Sequence, residues 1–336
     1  MSGAILEVEN LVKHYVLRRG LFGSKDTIVH AVRGVSFTLN AGETLCIVGE
    51  SGCGKSTVAR LLMRLVEPTE GKIVLEGADI AKLGRKEMRE TRKKMQMVFQ
   101  DPFSSLNPGL TASQIVTEPV ENFENLSRHD RRVLAAELFR KVGLREDMID
   151  RLPSQFSGGQ RQRLGIAPAL SLNPSIIVAD EAVSALDVSV QAQILNLILD
   201  LQRDLGISFV FISHDLGVVR HIGNRVAVMY LGRIVEFADC EAVFEKPVHP
   251  YTEALIAAAP VPDPRRVRLE VPLEGEVPSP IKPPLGCAFH PRCPLVVDRC
   301  RIDVPDLADA SDGHSVACHV RAPSSQPIEG PGVESR

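Results

Sequence analysis

The sequence predicts an α/β protein whose parallel sheet is flanked by helices and is followed by a loop-rich C-terminal extension. Three observations support this fold class. Apolar, β-branched stretches alternate with amphipathic ones over the first 246 residues, as in strands joined by helical crossovers. A glycine-rich turn separates a short apolar stretch from a helical one. Of the 23 prolines, 16 lie between Pro247 and the C-terminus, which predicts few regular elements there.

The elements of the first 246 residues follow from hydrophobic periodicity. Residues 32–39 alternate apolar and polar side chains, which indicates a half-buried strand, and Thr44–Val48 is a short apolar strand before the glycine-rich turn. Continuous apolar runs over 176–179 and 207–212 are typical of strands buried on both faces. The other predicted elements are a strand over 95–99 and helices over 55–64, 111–121, 128–142 and 191–204.

Composition excludes several classes of protein. The net charge is -3 and there is no Trp, so neither bulk basicity nor base-stacking aromatics favour a nucleic-acid partner. No run approaches the roughly 20 apolar residues that span a bilayer. The N-terminus has neither the basic start nor the long apolar segment of a signal peptide. We therefore expect a cytoplasmic protein of about two domains.

The glycine-rich turn fits the phosphate-binding pattern G-x-x-x-x-G-K-[ST] without a mismatch. Glycines let the backbone wrap phosphate groups, and the following helix adds the positive end of its dipole. We expect Lys55 to contact the β- and γ-phosphates and Ser56 to hold Mg²⁺. The predicted loop consists of Gly49, Glu50, Ser51, Gly52, Cys53, Gly54, Lys55, Ser56 and Thr57.

Two carboxylates follow the apolar run over 176–179. We expect Asp180 to hold Mg²⁺ through water and Glu181 to orient and deprotonate an attacking water. A strand followed by Asp-Glu is by itself a weak signal, since such pairs often cap helices. Together with the phosphate loop, it indicates nucleotide hydrolysis.

A further motif resembles the signature of ATP-binding-cassette (ABC) ATPases. It consists of Ser157, Gly158, Gly159 and Gln160. The resemblance covers about residues 5–245 and implies a P-loop ABC ATPase fold, with a parallel-sheet core, an antiparallel β subdomain and a helical subdomain over about 101–168. It also implies that the signature completes the ATP site of the opposing subunit.

Other positions match this family one by one. Gln100 resembles the glutamine that senses Mg²⁺ and water and contacts the membrane subunits, and His214 resembles the histidine that contacts the γ-phosphate. Asp187 resembles a residue of the loop that crosses between the two nucleotide sites. Tyr15 resembles the aromatic residue that stacks on adenine. The resemblance implies catalytic roles for Glu181, His214 and Gln100.

Two residues depart from the family pattern. Pro168 replaces the usual Arg inside the signature helix, where it removes a helical N–H and either costs about 3 kcal/mol or kinks the helix. Ala182 replaces the Pro that usually follows the glutamate. We expect ATP binding to survive and coupling or hydrolysis to be weakened.

The sequences at 101–108, 183–193, 247–252 and 279–294 resemble the peptide-importer branch, and the last resembles its F-type ATPase. This implies an ATPase at the cytoplasmic face of the inner membrane that powers import of dipeptides, oligopeptides or similar solutes. The implied partners are a second, different ATPase subunit, two permease subunits and an extracytoplasmic solute-binding protein. Alternatives are import of nickel or another non-peptide solute, a soluble ABC ATPase acting on nucleic acid or ribosomes, and a non-enzymatic regulatory subunit.

Four cysteines lie within 32 residues of the extension, namely Cys287, Cys293, Cys300 and Cys318. In a reducing cytosol such a group favours metal over disulfides. The spacing lacks the C-x₂-C of a zinc ribbon, and the resemblance implies a [4Fe–4S] cluster. The alternatives are zinc, with His290, His314 or His319 in place of one cysteine, unmetallated thiols, and redox-labile disulfides. We expect an extension over 246–322 and a disordered tail over 323–336.

Overall fold

The computed structural model describes residues 3–17, 26–99, 106–259, 275–311 and 313–322, and it confirms the α/β class. The strands in the described ranges are β1 Ala4–Leu17, β2 Thr27–Asn40, β3 Thr44–Val48, β4 Glu70–Leu75, β5 Ala78–Asp79, β6 Met95–Val98, β7 Ile176–Asp180, β8 Ser208–Ser213, β9 Arg225–Tyr230, β10 Arg233–Asp239, β11 Ala308–Ser311 and β12 His314–Val316. The helices there are α1 Lys55–Leu62, α2 Arg85–Lys94, α3 Ala112–Glu121, α4 Arg128–Lys141, α5 Gly158–Leu170, α6 Val188–Leu205, α7 Leu216–Ile222, α8 Cys240–Glu245, α9 Pro250–Ala258 and α10 Asp298–Ile302.

The main sheet positions the candidate site. Its order within the described residues is β11-β12-β10-β9-β3-β8-β7-β6, and the five strands from β9 to β6 run parallel. In the register, Val48 pairs with Ser213, and Asp180 pairs with Ile212. The carboxyl ends of β3, β7 and β8 therefore meet at one edge of the sheet, where α/β proteins commonly bind ligands.

The central strands are apolar without interruption because both of their faces are covered. Val178 and Ile212 pack with α1 and the second sheet, whereas Ala179 and Phe211 pack with the helices of the opposite side. Successive side chains point to opposite faces of a strand, so burial on both faces requires apolar residues at every position. This confirms the reading of the runs over 176–179 and 207–212.

The second sheet is antiparallel, with the order β2-β1-β4-β5. The sequence predicted only 32–39 of β2 and missed β1 entirely. The pairing of β1 with β2 shifts register between Val8 and Leu11 and again further along, and Asn10 has a φ of 46°. Such bulges interrupt the two-residue alternation that identifies a strand.

The C-terminal extension is continuous with the main sheet. Strand β12 pairs antiparallel with β10, and the Ala317 N–H donates to the Val235 carbonyl oxygen at 2.8 Å. The expected scarcity of regular structure holds for the described part, yet the β11–β12 hairpin and the short helix α10 were not predicted. The domain bounds near residue 245 stay a prediction, and the tail over 323–336 lies outside the described residues. None of the helices in the described ranges is long and apolar enough to cross a membrane.

Candidate nucleotide site

The phosphate loop leaves β3 and enters α1 through three glycines with positive φ. The φ values of Gly49, Gly52 and Gly54 are 149°, 79° and 110°. A Cβ atom at Gly49 would lie 2.2 Å from the Met229 carbonyl oxygen, and one at Gly54 would lie 2.3 Å from that of Ala31. Glycine is therefore required at Gly49 and Gly54 both because a carbonyl oxygen lies too close for a Cβ atom and because φ is positive. Gly54 has no side chain to cap α1, so the first N–H groups of the helix remain directed at a ligand position.

Lys55 lies inside the loop rather than in solvent. Lys55 is only 4% exposed. The ammonium donates to the carbonyl oxygens of Gly49 at 2.7 Å and Glu50 at 3.0 Å. These bonds hold a positive charge at the position where the loop would surround phosphate groups.

Ser56 and Asp180 meet across the loop. The Ser56 hydroxyl donates to Oδ1 of Asp180 at 3.0 Å. Asp180 ends β7 and is 7% exposed, and this burial raises the pKa of its carboxyl group. The hydroxyl and carboxylate oxygens are the ligands that Mg²⁺ prefers, so these two residues fit a magnesium site.

Glu181 and His214 meet on the adjacent strand ends. Nδ1 of His214 lies 3.3 Å from Oε1 of Glu181. Glu181 occupies the left-handed region with a φ of 49°, and its N–H donates to the Ile212 carbonyl oxygen at 3.0 Å. Backbone strain of this kind clusters at functional sites because the surrounding structure must hold it.

The signature motif forms the start of α5. The Ser157 hydroxyl accepts from the Gln160 N–H at 3.4 Å, and Gln160 Oε1 accepts from the Ser157 N–H at 3.0 Å, which is a capping box. A Cβ atom at Gly159 would lie 2.8 Å from Cγ1 of Val190 in α6. Among the described residues, the motif shares no hydrogen bond or ion pair with the phosphate loop of its own chain. Ser157, Gly158 and the nearby Asp187 are exposed.

Of two other predicted residues, the structure describes Tyr15 but not Gln100. Tyr15 is half-buried on β1 opposite Val29 of β2, with the Lys13 ammonium 5.1 Å from its ring centroid. Since β2 also supplies the Ala31 carbonyl that approaches the phosphate loop, Tyr15 lies on the sheet that borders the loop. Gln100, and with it residues 101–105, lies outside the described residues.

Comparisons with known proteins identify the family. The family model "ABC transporter" matches residues 32–184, and "Oligopeptide/dipeptide transporter, C-terminal region" matches residues 235–300. A probable peptide ABC transporter ATP-binding protein of Sinorhizobium fredii is 69% identical over 325 residues, which are 97% of this chain and 92% of that protein. The chain belongs to the oligopeptide/dipeptide family of ABC transporter ATP-binding proteins.

Other members and solved structures agree with this assignment. The oligopeptide transport ATP-binding protein AppF of Bacillus subtilis is 50% identical over 319 residues, or 94% of this chain and 97% of that protein. A dimeric ATP-binding cassette solved in a post-hydrolysis state with ADP and Pi is 32% identical, with a TM-score of 0.61. That match covers 70% of this chain and 98% of the solved chain. The expected ABC ATPase fold is therefore confirmed.

The two residues expected to depart from the family pattern lie in the last turn of the signature helix and directly after Glu181. Helix α5 continues through Pro168 to Leu170, and the hydroxyl and N–H of Ser171 both donate to the Pro168 carbonyl oxygen. Gln162 of the same helix, which is 1% exposed, donates from Nε2 to the Ala182 carbonyl oxygen. The sequence did not predict this bond, which ties the signature helix to the turn that carries Glu181.

The sequence also missed two residues of the extension that contact the phosphate loop. The hydroxyl of Tyr251 accepts from the Glu50 N–H at 2.9 Å. Arg292 donates from both terminal nitrogens to the Glu50 carboxylate, at 2.8 and 3.1 Å. One signal was present in the sequence, because an acidic residue inside an anion-binding loop needs a cationic partner.

The four extension cysteines converge without forming a metal cage. The Cys287 N–H donates to the Cys300 carbonyl oxygen at 2.9 Å. Burial, and then the charges of the other three thiols, raise the pKa of Cys287 to about 11, and burial also raises the pKa of Cys293. In the described part of the chain, no three His, Cys, Asp or Glu side chains are arranged to hold a metal ion. The cysteines therefore lie near one another, and the expected cluster is not confirmed.

Proposed function

We propose that this chain hydrolyses ATP to power the import of dipeptides or oligopeptides through an ABC transporter. The observation that carries the proposal is the edge where β3, β7 and β8 end. There the phosphate loop, the Ser56–Asp180 pair and the Glu181–His214 pair lie together. The peptide class of solute rests on the names of the family and its relatives, since a cassette subunit does not contact the solute.

The chemistry assigns each residue a task. Lys55 and the N–H groups at the start of α1 bind the β- and γ-phosphates. Ser56 and Asp180 would hold Mg²⁺, which neutralises phosphate charge when it is bound. The Glu181 carboxylate accepts a proton from the water that attacks the γ-phosphorus, and His214 orients that carboxylate and the γ-phosphate. Gln100 and Tyr15 are assigned to the water and the adenine on the family pattern alone.

We place the signature in a composite site between two cassettes. Ser157 and Gly158 are exposed at the start of a helix, as an anion site for a second subunit requires, and the solved relative with ADP and Pi is a dimer. Asp187 is exposed near the same surface. ATP bound between two subunits favours the closed pair, and hydrolysis removes that preference. We propose that the partner cassette is a different chain, and that two permease subunits and a solute-binding protein complete the importer at the cytoplasmic face of the membrane.

The Glu181→Gln variant tests the hydrolytic assignment. In the complex purified with its partners, we expect hydrolysis to fall by about 100-fold or more, since general-base catalysis contributes that much. ATP binding should persist, and a closed cassette dimer should accumulate on cross-linking. Glu245→Gln, at an exposed site on α8, is the matched control and should turn over normally. Normal turnover in Glu181→Gln would contradict the assignment of the base.

Purification from native membranes tests the transport assignment. A tagged chain extracted in mild detergent should bring down two polytopic subunits and a second cassette. Recovery with nucleic acid or ribosomes, and without a membrane chain, would contradict the importer.

The four thiols carry a separate proposal, a [4Fe–4S] cluster. The support is their convergence in a small extension that has little core of its own. Binding would require the thiol side chains to turn toward one another, because their present arrangement is not a cage. Anaerobically purified protein should contain iron and acid-labile sulfide and absorb visible light. Stoichiometric zinc without visible absorption would instead identify a zinc site.

A further inference from the structure

The phosphate loop is held from outside the ATP-binding domain by two side chains that converge on one residue. Glu50 is the second residue of the loop. Its N–H donates to the Tyr251 hydroxyl at 2.9 Å, and its carboxylate accepts two bonds from Arg292 at 2.8 and 3.1 Å. The Arg292 side chain is 4% exposed and Tyr251 is fully buried. Glu50 is partly exposed, with a side-chain exposure of 23%, but a bidentate pair with one buried partner fixes geometry better than a fully exposed ion pair does.

The charge of Glu50 explains why the loop needs this contact. A carboxylate in a loop that binds a triphosphate repels the triphosphate, and this repulsion is larger at a partly buried position such as that of Glu50 than in bulk water. The Arg292 guanidinium cancels that charge, and Glu50 in turn holds the pKa of Arg292 above its ordinary value. An unpaired Glu50 would both weaken nucleotide binding and free the peptide whose carbonyl accepts the Lys55 ammonium.

Tyr251 reaches the loop from the start of α9. Its N–H donates to Nδ1 of the buried His249 at 3.0 Å. The preceding turn is fixed in turn by Glu236, a fully buried carboxylate that accepts from the N–H groups of Val248 and His249 at 2.7 and 2.9 Å. Because these groups are buried and hydrogen-bonded, the position of the Tyr251 hydroxyl is fixed by the fold.

Arg292 reaches the loop from the cysteine segment. It follows a turn that begins at Cys287, and the Cys293 N–H donates to the His290 carbonyl oxygen at 3.4 Å. Phe289 of this turn packs edge-on against Tyr230 with 5.2 Å between ring centroids, and its centroid is 5.5 Å from that of Tyr251. This aromatic cluster joins the cysteine segment, α9 and the end of β9 into one support.

We infer that Tyr251 and Arg292 are positioning residues that hold Glu50, and that the C-terminal extension thereby sets the affinity of the phosphate loop for ATP. The inference rests on the proposed ATPase function only for its hydrolysis readout. The cysteine segment supplies Arg292, so a change in the cysteines reaches the nucleotide site through this side chain. The extension would thus control the ATP affinity of the chain through its contacts with Glu50.

The experiment is a double-mutant cycle in the complex purified with its partners. The measurements are equilibrium binding of a fluorescent ATP analogue with Mg²⁺, ATP hydrolysis and the melting temperature. We expect Arg292→Ala to weaken binding about tenfold, because it leaves Glu50 unpaired. Adding Glu50→Ala should restore affinity to within about threefold of the wild type, since no charge is then left unpaired. Tyr251→Phe keeps the ring and should lose about threefold.

A role of Arg292 in packing the extension, separate from the charge of Glu50, predicts a different pattern. The double variant would then bind as weakly as Arg292→Ala, and this result would overturn the inference. Wild-type affinity in Arg292→Ala would overturn it as well. Arg301→Ala, an exposed arginine of the same extension, is the matched control and should bind normally. If the proposed ATPase function failed instead, no variant would hydrolyse ATP although the rescue in binding persisted.

Discussion

The phosphate site and the C-terminal extension differ in whether their contacts can be predicted from sequence motifs. In the phosphate site, the Ser56–Asp180 bond joins two short motifs, and each motif has a meaning of its own because the chemistry of a nucleotide demands those residues. In the extension, Tyr251 and Arg292 reach Glu50 across 201 and 242 residues. Their residue types and spacing do not show what they contact. Residues that touch a ligand can be found by motif, whereas residues that support them depend on how the fold brings distant segments together.

The largest effect should come from the glycines of the phosphate loop. It tests whether close backbone approach fixes the residue type at a motif position. Gly54→Ala places a Cβ atom 2.3 Å from a carbonyl oxygen at a φ of 110°, so the loop must move. We expect ATP affinity to fall by about 100-fold or more, measured with the fluorescent analogue. Gly52→Ala is the control, since it has a φ of 79° but no atom within 4 Å of its Cβ, and it should lose much less. Equal losses would mean that backbone conformation, and not close approach, constrains the loop.

The sequence predicted the parts of this protein that depend on local pattern. The helix after the loop and the buried strands before Asp180 and His214 are present, because burial on both faces of a parallel strand leaves an unmistakable apolar run. It missed β1, where bulges disturb the alternation, and the β11–β12 hairpin, in which only β12 pairs with β10. It also missed Arg292 and the Gln162–Ala182 bond, since a long-range contact leaves no periodic signal. The roles assigned to the site residues, those of Gln100 and Tyr15 included, stay predictions.

The second prediction concerns how moderate acid changes the free energy of unfolding through His249, the residue before α9. Burial, together with the positive charge of Arg321, lowers the pKa of His249 to about 3, although the Ala317 backbone opposes the shift. An unfolded histidine has a pKa near 6.5, so the unfolded chain binds a proton that the folded chain does not. The free energy of unfolding should therefore decrease as the pH falls below about 6.5, by about 2 kcal/mol between pH 7.5 and pH 5. Urea titrations at several pH values measure it.

His249→Asn isolates this contribution from those of other groups that titrate. Its side-chain oxygen can still accept from the Tyr251 N–H, but it does not titrate. The variant should lose about 2 kcal/mol less between the two pH values than the wild type does. Identical pH profiles would mean that His249 does not limit the acid stability of the extension. If ATP affinity also falls with pH in the wild type but not in His249→Asn, the stability of the extension affects the phosphate loop.

The smallest effect should come from Pro168, which lies in the last turn of the signature helix. Pro168 has no N–H for the Leu164 carbonyl, and it lies two residues before α5 ends at Leu170. Because the helix ends so soon, we expect Pro168→Ala to stabilise the protein by only about 1 kcal/mol, a few degrees in melting temperature and less than the roughly 3 kcal/mol of a mid-helix proline. Pro119→Ala is the matched control, since Pro119 also lies two residues before the end of its helix, α3. Similar gains would assign the effect to the missing hydrogen bond. A gain in Pro119→Ala alone would show that α5 accommodates the ring without strain, and that the departure at residue 168 must act on the cassette by some route other than stability.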